Sequence, residues 1–251
     1  MTLSKKQEEI YLRNIILTEI GSVGQKKLLN TKILIIGAGG LGSAVIYYLA
    51  AAGVGCLGIM DHDQVDLSNL QRQIIHNSND INRNKVDSVK EKINLLNPEI
   101  KIITYQEKAD HKNLKDIIKN YDLIVDATDN FSSRFLLNKV CFYTQKPLIS
   151  AAVKAFVGHI YLFKSYQNNN PCYECFNPSN QRKMQPLPLA EKGIFGGVAG
   201  ALGSMQAINV VKEILQIGES LLGKIMIFNF LTNQTKVINL SKNKNCQICR
   251  E

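Results

Sequence analysis

Four polar segments of this 251-residue chain carry residue types with well-defined ligand chemistry. The first is a glycine-rich loop, IIGAGGLG, at 35–42, and the second is an acid, Asp61, at the end of an apolar run. The third is SNLQRQ at 68–73, and the fourth is DATDN at 126–130. Glycines admit phosphate to the backbone, an acid binds ribose hydroxyls, and arginine binds phosphate oxygens. Together these segments predict an ATP site built for attack at phosphorus.

The glycine loop fits the G-x-G-x-x-G pattern of nucleotide-binding folds at Gly37, Gly39 and Gly42, with Gly40 between them. It lies between a buried-type strand and an alanine-rich helix, so free amides at the start of the helix are available to phosphate. Asp61 follows Gly42 by 19 residues, the spacing at which such folds bind ribose. The loop alone favours NAD, so the choice of ATP rests on the other segments.

Three side chains supply donors for phosphate oxygens, namely Asn69, Arg72 and Lys85. Arginine binds two oxygens through its planar fork, whereas lysine acts as a point charge. A hydride-transfer site does not need three such groups near the glycine loop. An NAD-dependent dehydrogenase would also need an acid–base group beside the nicotinamide, and no good candidate is present. The donors therefore favour ATP over NAD.

Two acids, Asp126 and Asp129, follow a strand at the edge where open α/β sheets bind ligands. Either carboxylate suits Mg²⁺, which prefers oxygen ligands. Asp129 or Asn130 also suits the N-cap of the helix that begins near residue 131. We assign the predicted magnesium site to Asp129.

Two C-x-x-C pairs predict a zinc site: Cys172 with Cys175, and Cys246 with Cys249. Four thiolates complete a tetrahedron and leave no open position, so the zinc would be structural. It would tie a polar loop to the end of the chain. A redox role is the alternative, but neither pair opens a helix after a thioredoxin-like strand.

The order of elements predicts a Rossmann-like, doubly wound α/β fold. Short apolar strands alternate with helices up to about residue 150, which is typical of a mostly parallel sheet with helices on both faces. An antiparallel extension follows, with a long helix at 196–217 and an irregular connection at 165–195. Residues 4–20 are expected to form one amphipathic helix. The remaining predicted strands lie at 32–36, 56–60, 100–104, 123–126, 147–150, 156–163, 224–230 and 234–240, and the other helices at 43–52, 85–96, 113–119 and 131–144.

The composition is that of a globular protein with a net charge of +9, spread along the chain. Such a charge could attract anionic partners. It is equally well explained by lysines that only contact solvent. Residues 33–60 are uncharged, but seven glycines indicate a strand, a helix and a strand instead of a membrane span. The N-terminus lacks a signal-peptide core, so we expect a cytoplasmic protein. Its thiols would stay reduced, and Cys56 and Cys141 lie in apolar segments as inert core residues.

The four histidines show no pairing or metal-ligand spacing, and none is expected to be catalytic. They are His62, His76, His111 and His159.

These segments, in this order, resemble the ThiF/MoeB/HesA family of ubiquitin-activating-like adenylyltransferases. The likeness also covers AAAGVG at 50–55, Lys85 and both C-x-x-C pairs. It further includes YLRNIIL at 11–17, in which Asn14 replaces the usual glutamine of the family. The resemblance implies a homodimer with shared active sites, because Arg13 in this element would reach the ATP site of the neighbouring subunit.

The resemblance also implies the reaction. The Gly-Gly tail of a small ubiquitin-like sulfur-carrier protein would enter beside MgATP, and its carboxylate would attack the α-phosphorus to give an acyl-adenylate and pyrophosphate. Arg13, Arg72 and Lys85 would offset the phosphate charge, Asp129 would position Mg²⁺, and Asp61 would hold ribose. The activated carboxyl would then receive sulfur for thiamin or molybdopterin synthesis. The implied nucleotide contacts are Gly37, Gly39, Gly40, Gly42, Asp61, Ser68, Asn69, Leu70, Gln71, Arg72, Lys85, Asp129 and Asn130.

One departure from the family concerns the crossover loop, where Leu189 stands in place of a cysteine that several relatives carry. Residues 176–245 contain no cysteine at all. A covalent carrier–enzyme intermediate is therefore not expected at this loop, and sulfur would come from a donor protein or a persulfide. No nucleic-acid or membrane partner is expected.

We expect a single domain over 1–251, with a nucleotide-binding half at 1–150 and a zinc-stapled, carrier-binding half at 151–251. Two other functions remain open. One is a peptide-modifying adenylyltransferase of the microcin-maturation type, although that relative carries an extra N-terminal module for which this chain has no room. The other is a zinc-stapled nucleotide sensor without catalysis, which would not need all of the predicted catalytic residues.

Overall fold

The computed structural model describes residues 2–178 and 193–250, which form one eight-stranded sheet with helices packed on it. The strands are β1 (Lys32–Ile36), β2 (Cys56–Met60), β3 (Lys101–Tyr105), β4 (Leu123–Asp126), β5 (Leu148–Lys154), β6 (Val157–Phe163), β7 (Lys224–Asn229) and β8 (Gln234–Asn239). The helices are α1 (Lys5–Ile10), α2 (Leu12–Ile15), α3 (Gly21–Leu29), α4 (Gly40–Ala51), α5 (Lys85–Leu96), α6 (His111–Ile117), α7 (Phe131–Tyr143), α8 (Tyr173–Phe176) and α9 (Gly196–Leu215).

The strand order is β3-β2-β1-β4-β5-β6-β7-β8. Strands β1 to β5 pair in parallel, and β5 to β8 pair antiparallel. The predicted parallel sheet with an antiparallel C-terminal extension is thereby confirmed. Because β1 lies between β2 and β4, the chain reverses direction across the sheet at this point. Open α/β sheets bind ligands in the crevice beyond the carboxyl ends of such strands.

Two hydrophobic clusters cover the two faces of the sheet. Alternate residues of β1 face opposite clusters: Ile33 and Ile35 pack with α4, α5 and α9, whereas Leu34 and Ile36 pack with α6 and α7. This alternation follows from the two-residue period of a strand. Both faces are apolar, and the prediction of helices on both sides is confirmed.

The N-terminal segment differs from its prediction. Residues 4–20 form two short helices, α1 and α2, followed by turns, instead of one continuous helix. The break falls at Tyr11, whose ring is 1% exposed and whose hydroxyl accepts a hydrogen bond from Asn97 Nδ2 at 2.8 Å. Burying this ring requires the chain to turn. Helix α3, which follows, was not predicted.

Other elements agree with the prediction to within a few residues at their ends. The largest difference at a helix start is α4, which begins at Gly40 instead of Ser43, and β5 extends beyond Ser150 to Lys154. Cys56 and Cys141 are buried, as predicted. Leu189 and the rest of 179–192, part of the predicted irregular connection, lie outside the described residues. The described part of that connection contains α8, which was not predicted. No described helix combines the length and the apolar character needed to cross a bilayer.

Candidate active site

A cavity of about 340 Å³ opens beyond the carboxyl ends of β1, β2 and β4. It lies at the point where the strand order reverses, and segments distant in sequence meet there. The predicted site residues that line it are Gly37, Gly39, Gly40, Asp61, Arg72, Lys85, Asp129 and Asn130.

The glycine loop turns sharply between β1 and α4. Gly37 has φ of +100°, and a Cβ atom there would lie 2.8 Å from the Ala127 carbonyl oxygen. A Cβ atom on Gly42 would lie 2.1 Å from the Gly37 carbonyl oxygen. Any larger residue at either position would displace backbone, so the turn depends on these two glycines. The turn leaves the N-terminus of α4 facing the cavity, where its first amides have no intrahelical acceptor.

Asp61 is buried at the end of β2 and is bound to the glycine loop. Its Oδ2 accepts a hydrogen bond from the Ala38 amide at 2.8 Å, and its Oδ1 accepts one from the Asp63 amide at 2.9 Å. Each carboxylate oxygen has two lone pairs, so both retain capacity for a further donor such as a ribose hydroxyl. Asp61 thus orients the loop as well as lining the cavity.

The segment at 68–73 begins with a 3₁₀ turn, Leu67–Asn69, closed by reciprocal hydrogen bonds between Asp66 and Asn69. Arg72 follows this turn and lines the cavity, and its Nη1 donates to the Ser68 carbonyl at 3.0 Å. The other predicted contacts in this segment do not line the described cavity: Ser68, Asn69, Leu70 and Gln71. In this structure they form the turn that positions Arg72.

Lys85 is the first residue of α5 and is 5% exposed. Its ammonium group forms an ion pair with Asp63 at 2.8 Å, and half of the Asp63 side chain is in contact with solvent. A cation at a helix N-terminus opposes the helix dipole, so the position does not serve the stability of α5. Lys85 is therefore a buried positive charge at the wall of the cavity.

The two acids of DATDN have different surroundings. Asp126 is fully buried and accepts hydrogen bonds from Ser150 Oγ at 2.6 Å and Thr128 Oγ1 at 2.7 Å. Asp129 is exposed and lines the cavity. Asn130 is the N-cap of α7, with its Oδ1 accepting from the Ser133 amide at 2.9 Å. Since Asn130 fills the capping position, Asp129 remains available to a cation.

Gln73, His76 and Arg134 are among the side chains near the cavity that were not predicted as site residues. Gln73 and Arg134 line it, and the Arg134 Nη2 donates to the Thr128 carbonyl at 2.8 Å. The Arg134 Nε has no hydrogen-bond partner among the described residues and lies 3.9 Å from Asp126. An arginine in the first turn of a helix that follows DATDN is the one available signal, because it also opposes the helix dipole.

Arg13 lies on α2, exposed and outside the lining of this cavity. Exposed apolar side chains precede and follow it along the chain, on α1, α2, α3 and the turn between α2 and α3: Ile10, Leu12, Ile16, Leu17 and Val23. Within one chain, Arg13 therefore takes no part in the described cavity.

The four cysteines form a second cluster. Both C-x-x-C pairs are buried, and their sulfur atoms all lie within 4.8 Å of one another. The Cys172–Cys246 separation is 3.6 Å, and the Cys175–Cys249 separation is 3.3 Å. A tetrahedron with Zn–S bonds of about 2.3 Å has sulfur atoms about 3.8 Å apart. The donor set and its spacing thus fit a tetrahedral metal ion.

A family model described as the ThiF family matches residues 11–248. A probable molybdopterin-synthase adenylyltransferase from Gracilaria tenuistipitata var. liui is 40% identical, covering 98% of this chain and 69% of the relative. The adenylyltransferase and sulfurtransferase MOCS3 of Dictyostelium discoideum is 37% identical, and the chain spans 58% of its length. The SAMP-activating enzyme E1 of Haloferax volcanii is 34% identical, over 100% of this chain and 92% of the relative.

Solved structures of E. coli MccB share the fold. The MccB structure with ATP superposes with a TM-score of 0.83 at 26% identity, covering 96% of this chain and 73% of MccB. The structure with MccA-N7isoASN also gives 0.83, at 24% identity, covering 99% of this chain and 76% of MccB. Since the family model spans nearly the whole sequence and the relatives exceed 30% identity, the chain belongs to the ThiF family.

Proposed function

We propose that this protein uses ATP to adenylylate the C-terminal glycine carboxylate of a small ubiquitin-like sulfur-carrier protein. The observation that carries the proposal is the cavity at the strand ends, which brings together the glycine loop, Asp61, Arg72, Lys85 and Asp129. These are the groups needed to hold ribose, phosphates and a divalent cation. The names of relatives that are 34–40% identical support the same chemistry.

In the proposed reaction, the carrier carboxylate forms a bond to the α-phosphorus as the bond from that phosphorus to the bridging oxygen breaks. Pyrophosphate leaves with the electron pair. Arg72 and Lys85 offset the charge on the phosphates, and Asp61 binds ribose. Asp129 would hold Mg²⁺, which would supply positive charge next to the phosphates. No side-chain nucleophile is needed, because positioning and electrostatics carry the reaction.

MccB supports a second candidate, a peptide-modifying adenylyltransferase. Its structures superpose over nearly the whole chain, but at 24–26% identity. The carrier assignment is favoured because the relatives whose names include molybdopterin synthase or SAMP are closer in sequence. Thiamin and molybdopterin carriers are both retained as substrates to be tested.

Pyrophosphate exchange tests the assignment directly. We expect labelled pyrophosphate to enter ATP when a carrier of the thiamin or molybdopterin type is present, because the adenylylation step is reversible. A carrier that lacks its final glycine is the matched control and should give no exchange. Exchange without any carrier, or exchange driven by an MccA-type peptide instead, would contradict the carrier assignment.

We further propose a homodimer in which Arg13 enters the partner subunit's ATP site. Large apolar side chains on the first three helices are exposed in the single chain, including Val23 at 81%. A self-complementary contact would bury this surface, as in most homodimers. It would also place Arg13, which lies outside the cavity of its own chain, beside a second nucleotide.

Subunit mixing tests the shared site. Arg13→Ala and Asp129→Ala should each be inactive alone, because each removes one part of every site. Refolding the two variants together should restore about one quarter of wild-type exchange, since half of the dimers regain one intact site. A mixture that remains inactive would show that Arg13 acts within its own chain or not at the site.

The second half of the molecule is proposed to hold a structural zinc ion at Cys172, Cys175, Cys246 and Cys249. Zinc would tie α8 to the end of the chain and stabilise the carrier-binding half at 151–251, beside a nucleotide-binding half at 1–150. Reduced thiols fit a cytoplasmic protein. Because 176–245 lack cysteine, sulfur would come from a separate donor protein or persulfide and not through a crossover-loop thioester.

A further inference from the structure

His76 is buried between the glycine loop and α5, with 5% exposure. Its Nε2 lies 3.1 Å from the Ala38 carbonyl oxygen, and its Nδ1 lies 2.9 Å from Ser88 Oγ. The side chain does not line the described cavity. Both ring nitrogens are nevertheless engaged, one of them by the loop that faces the cavity.

The chemistry of these partners defines the tautomer. A carbonyl oxygen can only accept, so the proton lies on Nε2 and is donated to Ala38. In the neutral ring Nδ1 then accepts, and the Ser88 hydroxyl donates to it. Burial, with Lys85 nearby, lowers the pKa of His76, although Asp80 and Asp61 act in the opposite direction. The lowered pKa favours the neutral ring, and Nε2 donates to the Ala38 carbonyl in either protonation state.

His76 is one of three side chains that hold successive peptide groups of the loop. Asp61 accepts from the Ala38 amide, His76 donates to the Ala38 carbonyl, and Ser43 donates to the Gly39 carbonyl through its amide at 2.8 Å and its Oγ at 2.7 Å. A trans peptide is planar, with its C=O and N–H pointing in opposite directions. Holding the Ala38 carbonyl against His76 therefore turns the Gly39 amide away from His76.

Gly39 lines the cavity, so the direction of its amide matters for an anion bound there. We propose that His76 is a positioning residue, which fixes the Ala38–Gly39 peptide so that the Gly39 amide donates to a phosphate oxygen of the bound nucleotide. The proposal rests on the proposed ATP site. It assigns His76 no contact with the nucleotide and no transfer of a proton.

Binding of ATP and adenosine to the full chain tests the proposal. His76→Phe keeps a planar ring but loses the donor. His76→Gln places an amide donor near the position of Nε2, whereas His76→Asn places one near Nδ1, too short to reach Ala38. Val89→Ala, in the buried face of the same helix α5, is the matched control for a general loss of packing.

We expect His76→Phe and His76→Asn to weaken ATP binding by about tenfold, the value of one hydrogen bond to a charged group. Adenosine, which has no phosphate, should bind all variants as it binds the wild type. His76→Gln should recover most of the ATP affinity, and Val89→Ala should retain it. Unchanged ATP affinity in His76→Phe, or an equal loss of affinity for ATP and adenosine, would overturn the positioning role of His76 and leave the proposed function standing. Wild-type protein that binds no ATP would overturn the proposed function together with it.

Discussion

Asp129→Ala is expected to reduce carrier-dependent pyrophosphate exchange by a factor on the order of a hundred or more, as loss of one preorganised electrostatic group does. The Asp129 carboxylate lines the cavity, and its one described side-chain contact is a long one, 3.4 Å from Asn130 Nδ2. Removing it therefore breaks little of the folded structure. The loss should appear in exchange assays over a range of Mg²⁺ concentrations, while the unfolding transition stays close to that of the wild type.

Substitutions of two other aspartates serve as comparisons for Asp129→Ala. Asp116→Asn changes an exposed carboxylate on α6 that pairs with Lys119, and it should leave exchange unchanged. Asp126→Asn changes a carboxylate buried among Ser150 and Thr128 donors, so it should lower stability. Near-normal exchange by Asp129→Ala would show that the metal is held elsewhere.

The purified protein is expected to contain one zinc ion per chain. Cys246→Ser should release it and lower the free energy of unfolding by about 4 kcal/mol, the value for losing a cross-link that closes a loop of this length. The proposed cross-link would join Cys172 to Cys246, which are 74 residues apart in the sequence. Elemental analysis and denaturant unfolding measure the two effects.

Cys141→Ala is the matched control, because burial raises the pKa of Cys141 and this thiol lies outside the four-cysteine cluster. It should keep the zinc and lose a smaller amount of stability. Wild-type protein that is free of zinc yet fully active and stable would contradict the structural-zinc proposal.

The sequence predicts elements well where local signals agree. Helix α5 has the predicted bounds, Lys85–Leu96, because apolar residues recur at helical spacing and Asn97-Pro98 ends the pattern. The predicted start of α4 is three residues too late, because glycine has low helix propensity and the prediction therefore excluded Gly40 and Gly42 from the helix. Glycine is needed at Gly42 because a Cβ atom there would clash with the Gly37 carbonyl oxygen. The prediction of one N-terminal helix is wrong at Tyr11, where the helix breaks. Tyr11 is buried beside Asn97, a residue far away in the sequence, so no local pattern indicates the break.

The candidate site shows the same division. Gly37, Asp61 and Asp129 could be placed together from sequence because each follows, or lies close after, a parallel strand, and these strand ends meet at one edge of the sheet. His76 and Arg134 could not be found in this way. Their partners are the Ala38 and Thr128 carbonyl oxygens, and backbone partners leave no pattern in residue types.

Three successive peptide groups of the glycine loop are held by hydrogen bonds to side chains of the protein itself, those of Asp61, His76 and Ser43. Ordering a free loop costs about 1–2 kcal/mol of backbone entropy per residue. Here that loss accompanies folding, so an arriving anion meets preorganised donors and its affinity is not reduced by loop ordering.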